Sequence, residues 1–123
     1  MILLQVVSKS ELKIEEIAEM LISNRFVIDV NVQRNIERAE LVNDKLVYGT
    51  VCVLSAKTRA VLFDAIDKRL QEMYPDNMPE TYALPIMQMD WRQADILTKD
   101  VQEVKTVNNR LKRVINKVRG RKA

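Results

Sequence analysis

FVIDVNVQ at residues 26–33 and KLVYGTVCVLS at residues 45–55 are the two segments whose reading decides the fold of this chain. In the first, Phe26, Ile28, Val30 and Val32 alternate with Val27, Asp29, Asn31 and Gln33. That period of two suits a strand with one face on a core and the other more polar. The second is rich in Val, Leu, Tyr and Thr, the residue types that fit a pleated surface. The polar stretch around Asn43-Asp44 turns the chain between them, so the pair predicts a hairpin joined by about a dozen residues.

Upstream, Ile2 to Val7 is a short apolar run of the length expected for a buried central strand. Ser8 and Glu11 stand at the spacing of a capping box, in which hydroxyl and carboxylate each satisfy an orphan backbone donor at a helix start. Ile14, Ile17, Ala18 and Leu21 then fall on one helical face, with Glu15, Glu16 and Glu19 largely off it. Downstream, Thr58 is placed to cap a second helix whose stripe is Leu62, Ala65, Ile66, Leu70 and Met73. Tyr74-Pro75-Asp76-Asn77 ends that helix, and Glu80 to Met89 reads as a fourth strand in which Pro85 predicts an edge position or a bulge.

The order β-α-β-β-α-β predicts an α+β, ferredoxin-like antiparallel sheet with both helices on one face. Residues 1–97 form this domain. Residues 98–123 are read as an appended amphipathic helix or tail, with Val104, Val107, Leu111, Val114 and Val118 spaced three or four apart. No internal repeat or low-complexity segment is apparent.

Length and composition support one ordinary core: 123 residues, 47% hydrophobic and 30% charged. The net charge of +3 hides a strong asymmetry, because residues 104–123 carry eight Lys or Arg and no Asp or Glu, leaving 12 basic and 17 acidic residues before them. No histidine occurs, which removes the commonest general base and the commonest transition-metal ligand. Cys52 stands alone in an apolar run, excluding an intrachain disulfide and fitting a small core residue. No stretch is apolar enough to span a bilayer, and the apolar start lacks a basic leader and cleavage site, so a cytoplasmic protein with no membrane partner is expected.

The run YPDNMPETYALPI at residues 74–86 resembles the signature of the divalent-cation tolerance (CutA) family: a proline, a short gap, Pro-Glu, and an apolar segment ending in Leu-Pro. Asp29-Val30-Asn31 is similar to the family's Cys-Val-Asn, and Leu54 to Thr58 to its Lys-Thr strand-to-helix junction. The likeness covers roughly residues 2–97. It implies a homotrimer whose hairpin and neighbouring strands continue pairing across copies, closing edges that would otherwise invite aggregation. The chain departs from the family pattern at several points: Ile36 to Lys45 has no aromatic and no glycine, Asp29 stands at the cysteine position, and Tyr74 stands where a histidine precedes proline.

What the resemblance implies for a site is a pocket at the subunit interface holding Lys57, Thr58 and Glu80. The competing reading is an interfacial ion pair between Glu80 and a lysine that fixes the trimer register. Asp29 is a weak metal candidate for a hard divalent ion, since one carboxylate with Asn31 falls short of the oxygens such ions take. With the usual His and Cys ligands absent, any divalent metal cofactor is left undetermined. Met87 and Met89, near Met73 and Met78, would hold Cu(I) only if their thioethers converge, and core filling is the simpler role. Trp91 is read as an aromatic anchor on the body. The basic C-terminal segment fits either a solvated face or contact with an acidic partner or nucleic acid, though it has no aromatic residue to stack on bases; a seam formed in trans is the third option.

The resemblance implies a non-enzymatic trimer linked to divalent metal-ion tolerance. The alternative is a PII-like signalling subunit of the same architecture, binding nucleotide or a small effector between subunits. An acylphosphatase-like enzyme would need a phosphate cradle after the first strand, and Ser8-Lys9-Ser10 supplies neither glycine nor arginine.

Overall fold

The computed structural model describes residues 1–101. Its centre is β1 (Ile2–Ser8), which pairs antiparallel with β3 (Lys45–Thr58) on one side and β4 (Glu80–Pro85) on the other, with β2 (Asn31–Val42) outside β3. The resulting order β2-β3-β1-β4 is that of the ferredoxin-like arrangement. Because successive side chains point to opposite faces, Leu4 and Val6 of β1 share a face with Ala56 and Leu54 opposite them. All four are buried in the single apolar cluster.

Two helices close that face. α1 (Glu11–Ser23) buries Ile14, Ile17, Met20 and Leu21, and α2 (Phe63–Met73) buries Ile66 and Leu70, the stripes expected from their spacing. A short 3-10 turn, Ala60–Leu62, precedes α2 and places Leu62 fully inside. Cys52 is buried in the same cluster. α3 (Trp91–Asp100) adds Leu97, and Val101 just beyond it completes the cluster. The basic segment 104–123 lies outside the described residues.

The hairpin departs from the sequence reading. Phe26 and Val27 are buried but precede the strand, which starts at Asn31. The predicted dozen-residue connection is itself strand, and the turn is only Asn43-Asp44. Both residues have positive φ, 50° and 63°, the backbone of a two-residue turn whose twist matches paired strands. Asn and Asp tolerate the left-handed region better than most side chains. Pairing slips by one residue between Gln33 and Ile36, where Asn35 has φ 57°. Three steps along β2 therefore match two along β3, a β-bulge that moves later β2 side chains to the other face.

Two caps are corrected. Ser10, not Ser8, caps α1, accepting from Lys13 N at 3.2 Å, while the Ser8 hydroxyl accepts from Ser10 N. Thr58 is the last residue of β3 and caps nothing. It is fully buried, and its hydroxyl donates to the Phe26 carbonyl at 2.7 Å, tying the α1–β2 connection to the sheet. β4 ends at Pro85 rather than Met89, and Pro85 lies on an edge strand as expected. Trp91 is no anchor: it is 73% exposed with the Arg92 guanidinium over its ring, and Leu97 and Val101 take that role.

Replacing Ile66 by Ala removes buried methylenes from the stripe that attaches α2, with an expected loss of about 2–5 kcal/mol in urea unfolding. Thr58→Val keeps the shape and strands the Phe26 carbonyl, with an expected cost of about 1–3 kcal/mol by the same measurement.

Candidate functional site

Where β1 ends, the chain enters α1 through Lys9 and the Ser10 cap, and the loop before β4 crosses nearby. Lys13 on α1 donates its Nζ to the Asn77 carbonyl at 3.0 Å and sits 5.0 Å over the Tyr74 ring. Tyr74 donates its hydroxyl to Glu16 at 2.8 Å, so three contacts fasten α1 to the segment that delivers Glu80. Burial first, then the Glu16 carboxylate, push the Tyr74 phenol up to about 12.

Glu80 opens β4 opposite Val7, on the sheet face turned away from the helices. The bulge in β2 brings Arg38 to that same face, and its guanidinium meets Glu80 as a fork, both N–H···O distances 3.0 Å. Arg38 also lies 3.6 Å from Glu40, and Lys9 lies 3.5 Å from Glu40. Tyr82 donates to the same carboxylate as Arg38, at 3.3 Å. The Arg38 hydrogen bond is the main cause holding the Glu80 carboxyl below the usual carboxylate range, and the reciprocal bond raises Arg38. Lys9, Arg38, Glu40 and Glu80 border a cleft of about 510 Å³ lined by Val7, Ser8, Lys13, Asn77 and Pro79 as well.

The sequence-derived site residues do not meet within one chain. Lys57 pairs with Leu3 and Glu80 with Val7, so about 13 Å of β1 separates their positions. Thr58 is buried behind the sheet. Lys57 instead donates to Gln93 Oε1 at 2.8 Å, beside a smaller pocket of about 140 Å³ that it shares with Asp29, Ile28 and Ile96. Gln93 in turn bonds Asp90, the cap of α3, and that bond is the first cause lowering the Asp90 carboxyl. Within one chain Glu80 pairs with Arg38, 42 positions away, a residue that the sequence reading left in the connection between the second and third strands.

A metal fits poorly. Among the described residues no group of three His, Cys, Asp or Glu side chains is placed to hold an ion. Asp29 is exposed beside a lysine, and Glu40 and Glu80 are occupied by cations. Met87 is 88% exposed and Met89 packs on the core, both beyond β4. No described helix is long and apolar enough to cross a membrane.

An antiparallel β2-β3-β1-β4 sheet under two helices, with a charged cleft at one end, defines a ferredoxin-like α+β domain. A model of the CutA1 divalent ion tolerance protein family matches residues 2–99, and the chain belongs to that family, which is associated with divalent ion tolerance. The fold is similar to that of the divalent cation tolerance protein Cut A1 from Thermus thermophilus, with TM-score 0.72 and 23% identity, covering 82% of this chain and 98% of that one. It is likewise similar to CutA1 from Oryza sativa, with TM-score 0.74, 24% identity and coverages of 83% and 94%. CutA from Archaeoglobus fulgidus, described as periplasmic, gives 0.72, 21%, 82% and 98%. No curated protein matches the chain.

In Arg38→Met, the Glu80 carboxyl returns toward the ordinary carboxylate range, measured by carbon-detected NMR titration. The sign for stability follows from the lowered folded value. The pair's contribution is present above the unfolded glutamate value and fades as pH falls through the folded one, so the acid limb of an unfolding curve flattens in the variant. At the alkaline end, Glu16→Gln brings Tyr74 ionisation down from about 12, read by phenolate absorbance.

Proposed function

We propose that this chain is a non-enzymatic, self-associating subunit acting in the cellular response to divalent metal ions, with three copies joined through the open face and edges of the sheet. One observation supports this reading above the others: apolar side chains stand exposed on strands. Tyr82 is 49% and Leu84 45% exposed on the face away from the helices, and Leu41, Leu46 and Tyr48 are 75%, 64% and 64% exposed near the hairpin end. β2 and β4 are both edges with unpaired backbone groups, and a symmetric ring of copies satisfies them.

In this reading the Glu80 cleft opens toward the association face, and a pocket that also includes the Lys57-Thr58 junction spans two copies, since one copy holds these residues at opposite ends of its sheet. The ligand is small and charged, matched to Lys9, Lys13 and Arg38 on one side and Glu40 and Glu80 on the other. Direct coordination of a soft metal has no support in the donor set. The absence of histidine from the sequence, and with it the usual general base, supports the non-enzymatic reading. We place the protein in the cytoplasm, where a lone buried thiol persists reduced. The two-residue Asn43-Asp44 turn lends nothing to a PII-like alternative, which would use a long loop there.

Light scattering is expected to give a particle three times the 14.3 kDa chain. Tyr82→Asp combined with Leu84→Asp is expected to give a folded monomer by circular dichroism and the same mass measurement. A wild-type monomer at micromolar concentration overturns the reading. A melting temperature raised by ATP and not by Zn²⁺ or Cu²⁺ would transfer support to the PII-like alternative.

A further inference from the structure

The described residues carry sixteen Asp and Glu against twelve Lys and Arg, whereas residues 104–123 carry eight Lys or Arg and no carboxylate side chain. Much of the acidic excess lies on one helix: α1 has Glu11, Glu15, Glu16 and Glu19 against Lys13 alone. Between α1 and α2 runs an open groove of about 380 Å³, lined by Glu16, Glu19, Met20, Ser23, Arg69 and Met73. Glu19 has no ion-pair partner among the described residues.

The chain leaves the described body beside this groove. Val101 is buried, and the Asp100 carbonyl accepts from Arg25 Nε and Nη2 at 3.2 and 3.0 Å, one residue past Asn24, which also lines the groove. From Val101, three residues reach at most about 10 Å to Val104. If helical, residues 104–118 span about 22 Å, close to the roughly 20 Å of α1. Their apolar positions, Val104, Val107, Leu111, Val114 and Val118, would lie along one stripe, with Arg110, Lys112, Arg113 and Lys117 off it.

We propose that residues 104–118 dock in cis on the α1–α2 groove, setting the apolar stripe against Met20 and Met73 and the flanking cations against Glu16 and Glu19. The groove is then an intramolecular acidic receptor for the basic tail, on the side of the molecule opposite the association face. The proposal does not rest on the trimer reading.

Zero-length carbodiimide coupling of the full-length chain tests it, with products mapped by mass spectrometry in a mixture of ¹⁵N-labelled and unlabelled protein. The expected products join Lys112 or Lys117 to Glu16 or Glu19 within one isotopic species. They are expected to fall roughly fivefold or more between about 0.05 and 1 M salt, because the attraction is between exposed charges. Leu111→Asp, which leaves the described body untouched, and Glu19→Lys are each expected to abolish the coupling or cut it severalfold, and to speed amide exchange of residues 104–118 by tenfold and threefold respectively. Products appearing in mixed isotopic species, at about half of the total for an equimolar mixture, would show docking between copies and overturn the proposal. Products on other carboxylates, no products at low salt, or amide protection gained only after a labelled DNA duplex is added would each overturn it as well.

Discussion

Between Gln33 and Ile36, β2 has one residue more than β3 opposite it, and that single insertion sets which face everything beyond it occupies. Ahead of the bulge, Val32 sits opposite Leu54 and looks toward the helices; after it, Ile36 sits opposite Val51 and looks the other way. Arg38 and Glu40 follow Ile36 at intervals of two, so both reach the face that carries Glu80. With regular pairing Arg38 would point to the helix side, and the fork on Glu80 could not form. Left-handed Asn35 is the local cost of this shift, kept small by the asparagine side chain.

The site is consequently a product of long-range pairing rather than of a local motif. Its carboxylate comes from β4, its guanidinium from β2, its lysines from the start of α1, and β1 in the middle of the sheet sets their spacing. The charged groups are held mutually, with Arg38 shared between two glutamates and Glu40 between two cations. Such half-exposed pairs add little to folding, but they limit the number of arrangements available to the cleft. Rigidity there is reinforced by Lys13 and Tyr74, which lock α1 to the strand that presents Glu80.

Most of the architecture was legible because periodicity reports faces. The stripes of α1 and α2, the buried run of β1 and the edge position forced by Pro85 all follow from spacing or from a missing donor. The errors share a physical origin. Apolar residues at every second position from Phe26 mark burial, yet Phe26 is buried ahead of the strand, Ile28 is exposed and the buried neighbour is Val27; the strand proper is largely polar because one or both of its faces is open. Ser8 and Ser10 differ by two residues and offer the same hydroxyl, so spacing alone does not decide which of them caps α1. Thr58 resembled a cap in composition while serving a carbonyl 32 residues away. Nothing in the one-dimensional pattern linked Arg38 to Glu80, since a bulge without glycine leaves no strong mark. The Lys57, Thr58 and Glu80 set came from family likeness, and a single copy distributes it along the length of the sheet.

Cys52 sits on the inner face of β3, 3% exposed and sealed beneath the helices. Because the chain has no second thiol, this one atom is a silent clock: an alkylating reagent can reach it only when the layer of helices lifts. The rate at which the sulfur is consumed therefore counts breathing events of the native state, a dynamic readout available without adding any label to the molecule.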